Sequence, residues 1–333
     1  MYFASAEEQR WVQRGLLPDA RRQPVADDLR GWSWDRPPLK PIYDRPLGVF
    51  EIAGKYCPTG RDVYLRRVEN VQAAPNLGMR EGRRLHQVLA DVLTEAKRLV
   101  YIHGPASVPF LEALATGTVV HQDEDDTSLT AAQDQLSAKA RALRAFEIRR
   151  IVERVEAVLA HQPYIQADAL AMLALPVSVE VKLDGRFIGL SEHLAADAIT
   201  LPDVAVLDLK FGPKEPFHRL TTAGYALVLE SLFERPVDVG CIVYARFMNG
   251  RVVIERDFHL IGDELRQMFV EERDEKARMV AEEMDPGLPA ACPQTCPYLR
   301  TCHPPDQRRV EVLQSPISAN LVERTASEAV AAP

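Results

Sequence analysis

Long apolar runs are missing from this chain: nowhere in its 333 residues does it approach the roughly 20 uninterrupted apolar positions that a membrane-spanning helix requires. The N-terminus also lacks the basic-then-apolar pattern of a secretory signal. Together these absences set the expectation of a soluble, cytoplasmic protein with no membrane partner. Cysteine is scarce. Five residues, four of them beyond position 240, are too few and too late for a disulfide framework, which a reducing compartment would not keep paired in any case. Metal binding becomes their leading role. A basic excess is absent as well, and the net charge of -8 argues against a protein that coats nucleic acid along its whole surface. A hydrophobic fraction of 47% excludes disorder of the chain as a whole.

All three tryptophans (Trp11, Trp32, Trp34) fall within residues 1–56, among prolines that disfavour long regular elements, so an ordered but irregular N-terminal wrap is expected there. From Leu85 to Val100 apolar residues recur at helical spacing, with His86 at the edge of the stripe. A second periodic stretch, Leu136 to Val158, reads as a long helix studded with arginine, and His121–Asp126 before it as an acidic loop. The texture then changes to strands. Val177–Lys182 and Phe187–Leu190 flank Asp184-Gly185, a turn pair that suggests a tight hairpin. Ala195–Leu201 and Val204–Phe211 surround Pro202-Asp203. After a helix near Phe217–Phe233, Val237–Phe247 and Arg251–Phe258 surround Asn249-Gly250. A last helix, Asp263 to Glu283, precedes a proline-rich cysteine segment, and the polar tail 315–333 is expected to be disordered. The pattern is α/β with a mostly meandering sheet.

In Val204–Lys210 the period of two along a strand puts Asp208 and Lys210 on one face and Leu207 and Leu209 on the other. An acid two residues before a lysine is a weak signal by itself: Glu95/Lys97, Glu180/Lys182 and Asp274/Lys276 share it, and a surface ion pair is its usual meaning. Asp208/Lys210 stands above these rivals through hairpin arithmetic. A two-residue turn at Pro202-Asp203 pairs Leu201 with Val204 and, counting outward, Asp197 with Asp208. Opposed carboxylates are destabilising unless a cation lies between them, and a divalent ion with oxygen ligands is the natural candidate. A slipped register would make Glu192 the competing carboxylate. Such a site supports phosphodiester hydrolysis, with Lys210 orienting water or stabilising developing charge and His86 adding a ligand from its helix.

Cys292, Cys296 and Cys302 form a C-x3-C-x5-C cluster laced with prolines. A fourth ligand is needed, and Cys57, in a Cys-Pro-Thr that reads as a helix start, is the leading candidate. Four thiolates suit an iron–sulfur cluster or a structural zinc, to which His303 offers an alternative ligand. Cys241, in an apolar run, is expected to pack as a buried thiol.

An acid-x-lysine strand between an early single cysteine and a late cysteine triplet resembles the CRISPR-associated RecB-like exonucleases with an iron–sulfur cluster, within the PD-(D/E)XK nuclease superfamily. The type I-A branch is the most similar. Its flavour lies in Leu29-Arg30-Gly31-Trp32, in Tyr56-Cys57-Pro58-Thr59-Gly60-Arg61-Asp62-Val63-Tyr64-Leu65, and in His218-Arg219-Leu220 followed by Gly224-Tyr225-Ala226-Leu227. The resemblance implies a restriction-endonuclease-like core, a mixed sheet flanked by helices, at 57–290, with a helical N-terminal region within the wrap 1–56. A cysteine segment at 291–310 would pack with Cys57 as a clasp. It also implies metal ligands at His86, Asp197 (or Glu192) and Asp208, with Lys210 and Tyr225 catalytic. Thr221 stands where the family's Gln-x-x-x-Tyr helix has Gln, and C-x3-C where C-x2-C is usual. The implied cofactors are an iron–sulfur cluster held by Cys57, Cys292, Cys296 and Cys302, 4Fe–4S in preference to 2Fe–2S, and Mn²⁺ or Mg²⁺. The implied activity is a metal-dependent DNA exonuclease on single-stranded ends, trimming spacer precursors for the CRISPR integrase complex, on single-stranded or partly duplex DNA. The basic stretches Arg61–Arg84 and Lys139–Arg154 are candidate phosphate tracks or simply solvated helix faces. The competing reading is a catalytically silent adaptor with a zinc clasp that bridges DNA to the integrase.

Overall fold

The structure, a computed structural model, describes residues 1–116, 130–200 and 205–304. Eleven α-helices are present among them: α1 (Ala6–Trp11), α2 (Leu17–Arg22), α3 (Val49–Ala53), α4 (Arg61–Arg67), α5 (Leu77–His103), α6 (Val108–Thr116), α7 (Thr130–His161), α8 (Ala167–Ala174), α9 (Arg219–Phe233), α10 (Asp263–Ala281) and α11 (Leu299–Cys302). The strands are β1 (Val177–Leu183), β2 (Leu194–Thr200), β3 (Ala205–Lys210), β4 (Val239–Met248) and β5 (Arg251–Leu260), and they pair in chain order. Only β3 and β4 run parallel, because α9 carries the chain across one face between them; every other neighbour is antiparallel. The result is an α/β fold with a mixed five-stranded sheet flanked by helices. Among the described residues no helix is long and apolar enough to cross a membrane.

The sheet separates two cores. On one face Ala198, Leu207, Leu209, Cys241 and Val243 pack with the apolar stripes of α5 and α7 and with Met1–Phe3. On the other, Ala196, Ile199 and Val206 meet α3, α9 and α10. Leu85, Val88, Leu89, Val92, Leu93, Ala96 and Val100 are all buried along α5, as their spacing requires. Cys241 is fully buried, and burial pushes its thiol well above the usual range.

Several local expectations are revised. Residues 6–22 are helical throughout, with a π-helical turn at Val12–Leu16 just before Pro18, so the N-terminal stretch is more regular than its prolines suggest. Asp184-Gly185 does not close a tight hairpin. β1 pairs with β2 (Leu183↔Leu194), and the connection 184–193 carries a 3₁₀ turn, Arg186–Ile188, where a strand was expected. The Asp184 carboxylate accepts the Arg186 N–H at 3.0 Å, an Asx turn that redirects the chain. Gly185 is needed for close approach, since a Cβ there would stand 2.6 Å from that of Leu190. The Asn249-Gly250 hairpin forms as expected, with both residues at positive φ and Met248 opposite Arg251. The Pro202-Asp203 turn, the acidic loop His121–Asp126 and the tail 315–333 lie outside the described residues.

The N-terminal segment is held by buried cations of α10. Arg266 donates to Leu29 O, Arg273 to Leu39 O and Pro38 O, and Lys276 to Glu51 O and Ile52 O. Arg266 also makes a two-pronged pair with Glu230 of α9 at 2.7 and 2.9 Å, both side chains fully buried. The Glu230 oxygens accept in addition from Arg30, Gly31 N–H and Val237 N–H, so the buried charge is fully satisfied. Removing one partner strands the other. Arg266→Leu or Glu230→Leu alone is expected to cost about 3–5 kcal/mol in urea denaturation; a loss under 1 kcal/mol would show the network to be dispensable.

Candidate nuclease site

The β2–β3 pairing Ala198↔Leu207 and Ile199↔Val206 is the register the two-residue turn requires, and continuing it sets Asp197 opposite Asp208. The paired ladder ends one step before them. There the Asp197 carboxylate itself accepts the Leu209 N–H at 2.8 Å, so a side chain takes a hydrogen bond that a strand would otherwise take. Burial pushes the Asp197 carboxyl up to about 6; the Asp208 charge adds to this, while His86, the Leu209 N–H and Lys210 oppose it. Lys210 Nζ stands 2.8 Å from Asp208 Oδ2. Burial pulls the Lys210 ammonium down, but Asp208, with Asp197 behind it, more than offsets this and holds it above its usual value. Apart from that ion pair, the buried Asp208 Oδ2 has no hydrogen-bond partner.

His86, nearly three-quarters shielded on α5, brings Nδ1 to 3.6 Å from Asp197 Oδ1, and its ring meets Phe211 edge-on. The third member is Glu180. Ligand atoms of His86, Glu180 and Asp197 lie within 4.8 Å of one another, the one such group among the described residues. Sequence reasoning passed over Glu180 as one of the weak acid-x-lysine pairs. Its backbone sits in the left-handed region (φ +49°), and pairing of β1 with β2 skips it, directly across from Asp197. A non-glycine residue held there is strained, and such strain gathers at functional sites. Nothing in the sequence announces it. Glu192 stands apart, paired with Arg186 and His193 at 3.4 Å in the β1–β2 connection, as expected when the register does not slip.

Tyr225 donates its hydroxyl to Ala195 O at 2.6 Å, which fixes the backbone two residues before Asp197; Thr221, one turn earlier on α9, is buried. Beyond Lys210, the buried His218 is bracketed by Tyr56 OH at Nε2 (2.9 Å) and Tyr244 OH at Nδ1 (3.1 Å), and burial with the Lys210 charge holds its pKa down at about 4. A neutral imidazole with both nitrogens engaged makes a fixed wall beside the lysine.

An imidazole and carboxylates gathered beside the Asp208–Lys210 pair fit a hard divalent cation such as Mg²⁺ or Mn²⁺. The cysteines gather at the other end of the chain's path. Burial raises the Cys292 thiol, and the charges of Cys296, Cys302 and Cys57 add to it, as neighbours would. Arg61 grips Asp285 through two nitrogens (2.9 and 2.8 Å), Thr59 donates to Gly287 O, and Asn76 to Thr295 O, so the Cys57 turn and the late segment are clasped directly. His303 Nε2 lies 3.4 Å from Cys292 Sγ. Among the described residues no three of these sulfurs come within 4.8 Å of one another. Four thiol side chains brought towards one another have the donor chemistry of an iron–sulfur cluster or a structural zinc.

Residues 1–305 match the family described as CRISPR-associated exonuclease Csa1. The chain belongs to that family. The protein named CRISPR-associated exonuclease Csa1 in Thermoproteus tenax is 35% identical over 278 residues, covering 84% of this chain and 91% of that one. The Saccharolobus solfataricus protein of the same name is 28% identical over 281 residues, covering 84% and 93%. The family match at residues 1–305 takes in the complete sheet and the cysteine segment.

The basic stretches are largely spent within the fold. Arg66 and Arg67 serve Glu51, Lys139 serves Glu81, and Arg144, Arg150 and Arg154 donate to the carbonyls of Leu114, Phe3 and Ala174. Arg83 and Arg84, one turn before His86, keep no hydrogen-bond or ion-pair partner among the described residues. Replacing Glu180 by Ala is expected to weaken Mn²⁺ binding, read by calorimetry, by at least the roughly 10- to 100-fold that loss of a supporting group costs. Glu192→Ala should leave it unchanged; the reverse ranking would put the cation in the β1–β2 connection.

Proposed function

We propose that the chain is a metal-dependent DNA exonuclease, a phosphodiester hydrolase that acts on single-stranded ends and trims spacer precursors before the CRISPR integrase complex inserts them. The observation that carries this is the convergence of His86, Glu180 and Asp197 beside the Asp208–Lys210 pair. His86, Glu180 and Asp197, with Asp208 as a further oxygen donor, would hold a divalent cation, which when bound would supply Lewis-acid charge at the phosphodiester and favour ionisation of water. Lys210, kept protonated by Asp208, offers its ammonium to the charge that develops on the phosphoryl oxygens. Tyr225 and the Tyr56–His218–Tyr244 wall hold the strand ends that carry these groups, and Arg83, close to one helical turn before His86, is an unpaired cation on the same helix that would be available to a DNA phosphate. Cys57, Cys292, Cys296 and Cys302 would hold a 4Fe–4S cluster, which reinforces the clasp that the Arg61–Asp285 pair already makes.

Asp208→Ala is expected to abolish Mn²⁺- or Mg²⁺-dependent degradation of single-stranded DNA, while circular dichroism and thermal unfolding stay native. Full cleavage by that variant would reject the site. Anaerobically purified protein is expected to show visible absorption near 400 nm, on the order of that of iron–sulfur proteins, and to lose it in Cys292→Ala. Colourless protein that binds DNA tightly and yields no product with either metal would instead make the chain a silent adaptor with a zinc clasp.

A further inference from the structure

The Arg186–Ile188 turn that replaces the expected strand places Phe187 against Trp34. Their rings stack with centroids 4.7 Å apart and 29° between planes, yet both remain exposed, Trp34 at 37% and Phe187 at 46%. They flank a cleft of about 510 Å³ that Asp35, Lys40, Asp184 and Arg186 also line; Arg186 is paired with Asp184, which leaves Lys40 as the unpaired cation there. Large aromatic side chains left in water are costly to maintain unless something covers them.

The pair is built, not incidental. A single buried guanidinium, Arg273, donates to Leu39 O at 2.6 Å and to Ile188 O at 3.1 Å, and so fixes the two loops that carry the rings to the same point. Gly189, at φ +72°, permits the approach: a Cβ there would stand 2.9 Å from Pro41. The platform is also aligned with the site. From Glu180 the edge strand β1 continues to Leu183 and the connection at Asp184, a rise of about 13 Å over four residues. Lys182 is exposed and, like Lys40, its ammonium has no partner among the described residues. Carboxylates that gather a cation, an unpaired ammonium, a stacked aromatic pair and a second unpaired ammonium therefore succeed one another along the edge strand.

We propose that Trp34 and Phe187 form a stacking platform for a nucleobase of the single-stranded DNA whose phosphate is bound at Glu180 and Asp197, with Lys182 and Lys40 meeting the phosphates on either side of that base. A base has a π-face whatever its identity, so the contact is indifferent to sequence, as trimming of arbitrary ends requires. Cationic side chains beside the rings supply the phosphate contacts that stacking alone lacks. The inference rests on the nuclease reading of the same sheet.

The test uses fluorescein-labelled octathymidylates with Ca²⁺ as the only divalent cation, read by anisotropy over a time in which the octamer stays intact on a denaturing gel. An abasic position is moved along the octamer one nucleotide at a time. Wild-type protein is expected to bind one register of abasic DNA roughly 5- to 100-fold more weakly than the intact octamer, the range that one base–aromatic stack confers. Trp34→Ala and Phe187→Ala are expected to bind intact DNA that much more weakly and to lose the abasic penalty, and Trp34→Phe to keep most of both. A flat abasic scan in wild-type protein, or an equal penalty in both alanine variants, overturns the platform. Should the alanine variants fail to fold, photocrosslinking of 5-iododeoxyuridine octamers to wild-type protein decides: adducts on Trp34 or Phe187 support the platform, and adducts only elsewhere overturn it. A protein that shows the abasic penalty but never cleaves DNA with metal present fails the nuclease reading and keeps the platform. One that cleaves with a flat scan does the opposite.

Discussion

Two carboxylates facing each other across neighbouring strands are the constraint around which the rest of the site is arranged. Asp197 and Asp208 would repel at that separation, and the pairing of β2 with β3 survives because it gives way just there: the ladder ends, and Asp197 takes the Leu209 N–H for itself. The charge is then shared out. Lys210 neutralises Asp208 from its own strand, and His86 leans on Asp197 from α5. Glu180, across from Asp197 on the other side, adds a third acid from a strained backbone position. An assembly so rich in negative charge is at rest only with a proton or a cation in it, which is why burial drives Asp197 up to about 6.

The scaffold that tolerates this is anchored far from it. Glu230 and Arg266 join α9 to α10, and Arg30 and Gly31 bring the N-terminal segment into the same network. This is what the Leu29-Arg30-Gly31-Trp32 motif does: Leu29 supplies a carbonyl, Arg30 a second cation, and Gly31 the absence of a side chain, since a Cβ would lie 2.1 Å from Leu227 O. Gly224 lets α9 press against Phe269 in the same way. With α9 fixed, Tyr225 can hold Ala195, and through it the end of β2 that bears Asp197.

How much of this was legible in the sequence depended on whether geometry could be counted. The β2–β3 register followed from arithmetic on a two-residue turn, and the stripe on α5 from a period, so Asp197, Asp208, Lys210 and His86 were reachable. Glu180 was not: a positive φ leaves no mark on composition, and Glu-x-Lys occurs for ordinary reasons. Asp184-Gly185 misled because the same dipeptide serves an Asx turn and a close approach as readily as a hairpin. The arginines of α4 and α7 misled for a different reason. A cation count cannot tell which guanidinium groups will be spent on buried carbonyls and which will stay free.

That last distinction bears on how a chain with a net charge of -8 would act on the DNA proposed as its substrate. Several basic side chains act as internal struts: Arg273 and Lys276 for the N-terminal segment, and Arg150, Arg154 and Arg256 for the carbonyls of Phe3, Ala174 and Met1. Among those left without partners in the described residues are Arg83 and Arg84, just before His86 in sequence, and Lys182, two residues after Glu180. A protein that follows duplex needs positive charge over a long surface, because each neutralised phosphate adds its own counterion release. One that grips an end needs it only within reach of the reacting phosphate, so the proposed action on single-stranded ends is compatible with a chain whose net charge is negative.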